Sequence, residues 1–203
     1  MGFKARVVGK VAEALVNEGL LGGAVSLIDN TRSVEALIER NPTGYKMITK
    51  AEHRGLLPSI GVYDEKSRKK KYTIKIGGPK TIRLFDLEKN EIGKVVRDKD
   101  FFFKDVNYDM FLHGKDIGNA HKVAATKLRI AINGPHDWYI ESSLWGIATG
   151  DYKVIDGKDQ LVMKIRCSSS DGNQSVIEYE DKKHEEMALI MLMVLIQVMG
   201  ENG

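Results

Sequence analysis

The densest chemistry in this chain is electrostatic. Residues Lys66-Ser67-Arg68-Lys69-Lys70-Lys71 place five cations in six positions, and Lys75, Lys80 and Arg83 follow closely. Lysines near an anionic surface contribute about 1 kcal/mol each, so such a cluster can hold acidic lipid head groups or a phosphate backbone. The plainer alternative is a solvated hairpin turn, partly neutralised by Asp64 and Glu65. Nucleic-acid binders set stacking aromatics among their cations, and only Tyr63 and Tyr72 flank this run. Lys66, Arg68, Lys69, Lys70, Lys71 and Lys75 are therefore the candidate anionic-lipid-binding residues, and nucleic acid is not the expected partner.

Other chemistries need spacings that the sequence does not supply. His53, His113, His121, His136 and His184 lack the two-on-one-face spacing of a metal site. Gly77-Gly-Pro-Lys-Thr81 has a proline between glycine and lysine, and the upstream glycine of a phosphate loop is missing. Leu57-Pro-Ser-Ile-Gly61 lacks the first glycine of a nucleophile elbow. Asp86, Glu88 and Asn90 alternate as calcium ligands do, yet Glu91 stands where glycine is required and Arg97 where the final glutamate belongs. The reading is a binding module with no catalytic residues, no metal and no cofactor.

The elements that must position the cations come next. With 203 residues, 42% of them hydrophobic and 29% charged, the composition is that of a folded globular chain. A formal charge of +3 nominates no partner. The single cysteine, Cys167, excludes an internal disulfide and fits a reducing compartment. In Leu161-Val-Met-Lys-Ile-Arg-Cys167, alternation puts Leu161, Met163, Ile165 and Cys167 on the apolar face of a strand, so the thiol is expected to be an inert core group. Glu13, Asn17 and Glu18 interrupt the apolar positions near the start, unlike a secretory signal, and the expected location is cytoplasmic, with peripheral membrane contact if lipid is the ligand.

From Met187 to Met199 only Gln197 is polar. Such a helix would be roughly 20 Å long, against the ~30 Å of a bilayer's hydrocarbon core. A helix apolar on all sides but too short to span is expected to be wholly buried in protein, with Glu185 and Glu186 favourably placed at its N-terminus. A lipid-embedded tail and a partner-binding helix are the alternatives. Full burial requires something on every side, and a closed sheet provides it.

Between about residues 59 and 182 the chain reads as strands and turns. Tyr72, Ile74 and Ile76 alternate with Thr73 and Lys75, and Leu128, Ile130 and Ile132 with Arg129, Ala131 and Asn133. At 8–12 residues per strand and turn, this length makes on the order of 10 to 15 strands, a sandwich or a barrel. A theme recurs in Val62–Tyr72, Leu84–Val95 and Tyr152–Val162: an apolar strand end, an Asp, a short charged turn, another apolar strand. Each reads as a β-hairpin whose aspartate hydrogen-bonds the turn. Residues 1–43 differ. Phe3, Val7, Val11 and Leu15 mark an amphipathic helix, and Asp29-Asn30-Thr31 can cap a second over Ser33–Arg40, ended by Asn41-Pro42.

Hairpins followed by one wholly apolar C-terminal helix resemble the tubby C-terminal-like superfamily, which includes the LURP-one-related proteins and the phospholipid scramblases. The hairpin Arg83–Val95, the late hairpin from Gly150 through Ile165, and the terminal helix carry the resemblance over roughly residues 45 to 200. It implies a mainly β fold, a twelve-stranded barrel enclosing a helix at about 185–199. The division would be an N-terminal helical segment, 1–43, and a barrel domain, 44–203. It also implies phosphoinositide binding by basic surface residues, as in tubby proteins, although no lipid ligand transfers residue by residue. The scramblases' proline-rich N-terminus and cysteine cluster have no counterpart among four prolines and one cysteine. Two roles follow as expectations: a peripheral contact with an anionic membrane surface, or a scaffold that binds a protein partner or homo-oligomerises through its N-terminal helices.

Overall fold

Period-two alternation closes into a barrel. The computed structural model describes residues 44–52, 59–77, 80–98, 106–123, 128–134, 136–143, 146–147, 150–167 and 174–201. The two expected N-terminal helices lie outside these residues, as do Gly78-Pro79 and Ser170–Gly172. Twelve strands follow one another: β1 (Tyr45–Glu52), β2 (Ser59–Asp64), β3 (Lys70–Ile76), β4 (Thr81–Phe85), β5 (Glu91–Arg97), β6 (Asn107–Leu112), β7 (Lys115–Lys122), β8 (Leu128–Asn133), β9 (Trp138–Ser142), β10 (Asp151–Asp156), β11 (Leu161–Cys167) and β12 (Ser175–Tyr179). Each pairs antiparallel with its sequence neighbour, and β12 returns to β1 with Tyr45 opposite Tyr179 and Thr49 opposite Ser175. Closure leaves the sheet no unpaired edge.

A short 3-10 turn, Lys182–His184, leads into helix α1, Glu185–Glu201. Every residue from Ala188 to Leu195 is at most 3% exposed. A surface helix buries one stripe; eight consecutive buried residues mean that the helix is enclosed. Its neighbours are the inward row of the strands, among them Met47, Val62, Ile74, Leu84, Val95 and Met110. The apolar tail is the barrel's core. Gly93 on β5 marks a close approach: a Cβ there would lie 2.9 Å from Ile190 Cδ1. Among the described residues no helix is long and apolar enough to cross a membrane.

The three repeated hairpins form as their sequences suggest, and by one device. Asp64 Oδ1 accepts from Ser67 N at 2.7 Å, Asp86 Oδ1 from Asn90 N at 2.8 Å, and Asp156 Oδ1 from Lys158 N and Gln160 N at 2.9 and 2.8 Å. Each turn also holds one non-glycine residue at positive φ: Arg68, Lys89 and Asp159. The side-chain hydrogen bonds offset the steric cost of that backbone region. Asp86, considered above as a calcium ligand, is committed to closing its turn.

On β11 the expected phase holds for Met163 and Ile165, which are buried, and for Cys167, which is half-buried with Sγ 3.2 Å from Ser175 Oγ. Leu161 departs from it. It is 39% exposed because the β10–β11 register shifts between Val154 and Ile155, just where the strand leaves the turn.

Antiparallel order fixes which segments share an end. The tight turns β2–β3, β4–β5, β6–β7, β8–β9 and β10–β11 all lie on the rim through which α1 enters. The other connections lie at the opposite end.

Candidate functional site

The cationic run straddles the β2–β3 turn, and the structure divides it in two. Lys66, Arg68 and Lys69 are exposed on the turn itself. Their backbone is held by Asp64, through Ser67 N and the pair of bonds Asp64 N to Lys69 O and Arg68 N to Asp64 O, both 2.9 Å. The Asp64 carboxyl lies below its usual range chiefly because of these hydrogen bonds to Ser67. Asp64 thus organises the turn, and the charge of Lys71 also helps to hold its carboxyl low.

Lys70 and Lys71 are differently placed. Lys70 Nζ donates to both oxygens of Glu52, at 2.9 and 2.7 Å, and Tyr63 Oη donates to Glu52 Oε1 at 2.6 Å. Lys71 Nζ donates to Glu185 Oε1, the first residue of α1. Tyr72 Oη and Tyr179 Oη donate to the same carboxylate, at 2.8 and 2.9 Å. Burial alone would raise the Glu185 pKa; hydrogen bonds from Lys71, Tyr72 and Tyr179, with the lysine's charge, outweigh it and hold the carboxyl low. Burial and then the Glu185 carboxylate push both phenols up. Lys70 and Lys71 are therefore structural cations: one ties β3 to β1, the other fixes the helix at the barrel mouth. Of the five cations expected to form one ligand surface, Lys70 and Lys71 thus have carboxylate partners, while Lys66, Arg68 and Lys69 stand exposed on the turn.

Lys75 is exposed at the far end of β3, and its Nζ sits 4.5 Å above the Phe85 ring centroid. The strand registers give it company. Lys75 stands opposite Arg83 on β4, Arg83 opposite Lys94 on β5, and Lys94 opposite Phe111 on β6. Neighbouring strands are about 4.8 Å apart, so three cations project side by side from the outer face. Lys94 Nζ lies 4.5 Å over the Phe111 ring. Arg83 also touches Glu91 at 3.4 Å, with both side chains roughly half exposed, a screened contact of small worth. From Lys70 to Lys75 is five residues, roughly 17 Å along the strand, so turn and row are two ends of one basic strip. Lys94 was not apparent from local sequence. Its only signal was its outward phase in a strand whose hairpin register with Arg83 had to be known.

The rim holds α1 at two further points. His113 Nε2 lies 2.7 Å from Glu186 Oε2. His184 meets the Trp138 ring edge-on at 5.1 Å, with His136 stacked on Trp138 at 4.4 Å. Among the described residues, no group of three or more His, Cys, Asp or Glu side chains could hold a metal ion.

No family model and no curated protein matches this chain. A protein from Arabidopsis thaliana, known from its X-ray structure, is similar in fold with a TM-score of 0.50. The match covers 79% of this chain and 91% of that one at 15% sequence identity. The likeness is one of fold.

Proposed function

We propose that this barrel is a non-enzymatic binding module of the tubby C-terminal-like kind that contacts anionic phospholipid surfaces. The observation that carries the reading is the register that sets Lys75, Arg83 and Lys94 abreast on one outer face, below the exposed turn cations Lys66, Arg68 and Lys69. Such a strip can meet several head-group phosphates at once without a pocket. Phe85 and Phe111 hold the two lysines' ammonium groups over their rings, which limits the side-chain entropy lost on binding.

Co-sedimentation with vesicles of neutral or partly anionic phospholipid tests it. The wild type should bind only the anionic vesicles, and less as salt rises. Replacing Lys75 and Lys94 by alanine removes two contacts of about 1 kcal/mol each, so binding should weaken roughly thirty-fold. Lys66→Ala with Lys69→Ala should act similarly. Lys70 and Lys71 are unsuitable probes because their loss breaks internal ion pairs. Failure of the wild type to bind anionic vesicles, or full binding by both variants, would remove lipid as the ligand.

A further inference from the structure

Three histidines from distant parts of the chain meet on the rim through which α1 enters. His113 comes from the β6–β7 turn, His136 from the β8–β9 turn and His184 from the 3-10 turn just before α1. His113 Nε2 lies 2.7 Å from Glu186 Oε2, with the two side chains 56% and 33% exposed. His136 and His184 meet edge-on at 79°, their ring centroids 5.7 Å apart, and Trp138 packs against both. His121 lies elsewhere, on β7 toward the opposite end of the barrel.

Imidazole gains its charge within roughly pH 5 to 8, so the charges around these rings decide what protonation would do. The segments between strands at this end, 65–69, 86–90, 113–114, 136–137 and 157–160, together with 180–184, hold seven Asp and Glu against seven Lys and Arg. The strand residues that border them add Asp64, Glu91 and Asp156 against Lys70 and Lys115. Glu185 and Glu186 begin α1, and Lys71 pairs with the first of them. With its histidines neutral, the rim as a whole has no excess of positive charge; Lys66, Arg68 and Lys69 crowd into a single turn. His113 faces Glu186 and is followed on its own hairpin by Lys115 and Asp116. Burial and then Lys183 hold back the charged form of His184, Asp181 favours it, and His136 opposes it. His136 precedes Asp137, whose carboxylate lies against Gly157 of the β10–β11 turn. We infer that this rim is a proton-gated contact for an anionic phospholipid surface, to which mild acid adds positive charge through His113, His136 and His184. The inference rests on the lipid-binding reading above and adds a pH-dependent surface to its basic strip.

The contacts couple the added charge to the ligand. Glu185 already has Lys71, whereas Glu186 has the His113 imidazole, so its negative charge is offset when that ring takes a proton. Charging both His136 and His184 sets two cations with ring centroids 5.7 Å apart. A head-group phosphate beside them relieves that repulsion. Proton uptake and lipid binding therefore strengthen each other by the same factor.

Co-sedimentation of the full chain with phosphatidylcholine vesicles, with and without phosphatidylglycerol, tests this at about pH 7.5 and about pH 5.5, either side of the imidazole range's centre. Salt is held fixed, and circular dichroism confirms a folded protein at both. The phosphodiester of phosphatidylglycerol keeps its charge throughout. Each charge near an anionic surface is worth about fivefold in affinity, so the wild type should bind anionic vesicles at least about fivefold more tightly at the lower pH. The triple variant His113→Gln, His136→Gln, His184→Gln should bind equally at both, and His121→Gln should keep the wild-type rise. Equal wild-type binding at the two pH values would overturn the inference and leave the lipid reading standing. No binding at either would remove both. A rise that persists in the triple variant would belong to carboxyls such as Asp109, which burial and then Asp98 and Asp116 push up, and would also overturn the inference. So would an equal rise on neutral vesicles, which reports exposed core instead of charge. Should the triple variant not fold, His113→Gln alone, on an exposed ring, should remove part of the rise, and an undiminished rise counts against the inference.

Discussion

Met191→Asp should leave the protein without a cooperative unfolding transition. Met191 is 0% exposed in the middle of α1. The barrel wall surrounds it with apolar side chains, so a carboxylate there would have neither water nor a cation. Burying even a neutral polar group without a partner costs a few kcal/mol, and an isolated charge costs more or must be neutralised. Against a typical stability of about 5–15 kcal/mol, a loss of 5 kcal/mol or more unfolds a marginal domain. Near-ultraviolet circular dichroism against urea measures it. Leu87→Asp is the control: Leu87 is 65% exposed in the β4–β5 turn, and its substitution should change stability by less than about 0.5 kcal/mol. A wild-type urea midpoint for Met191→Asp would show that α1 is not the core.

That core was legible because its signal is local. A run of apolar residues too short for a bilayer has few places to go, and Glu185 and Glu186 marked its start. The hairpins were legible for the same reason, since an aspartate and its turn lie within five residues of one another. Closure was not. Alternation tells a strand which face is apolar, but a sandwich and a barrel use the same alternation. Pairing β1 with β12 joins Thr49 to Ser175, whose buried hydrogen bond at 2.9 Å spans 126 residues of sequence. No local pattern encodes such a pair.

The candidate site divides along the same line. The exposed turn cations Lys66, Arg68 and Lys69 sit where charge density and turn signals placed them. Lys70 and Lys71 do not, because their partners come from 18 and 114 residues away. Proximity in sequence suggested Asp64 and Glu65 as the neutralising acids; beside the charge contact of Asp64 with Lys71, the fold supplied Glu52 and Glu185 as direct partners. The Lys75–Arg83–Lys94 row depends on two registers at once, and a slip of one residue in any of its strands would turn that cation inward.

Glu185→Ala should cost about 3–5 kcal/mol, the range for removing one partner of a buried, hydrogen-bonded pair. The variant leaves Lys71 without its carboxylate, and the buried Tyr179 and half-buried Tyr72 phenols without their acceptor, at the point where the helix enters the barrel. Glu185→Gln retains one carbonyl acceptor and should fall between alanine and the wild type. The pH dependence separates this effect from lost packing. The folded carboxyl lies below its ordinary value of 4.5, so its contribution is complete above that value and is lost as pH falls toward the depressed one. His184 is held below its ordinary 6.5, first by burial and then by the charge of Lys183. It also favours the folded state at higher pH, and its contribution fades once pH falls below 6.5. Wild-type stability should therefore decline in two steps on acidification. Glu185→Ala should keep the upper step from His184 and show a smaller lower one, to which Asp64, Asp86 and Asp181, also held below their ordinary value, still contribute, so the two curves draw together below about pH 4.5. Parallel curves down to pH 3 would assign the loss to packing and leave the Lys71–Glu185 pair without an electrostatic role.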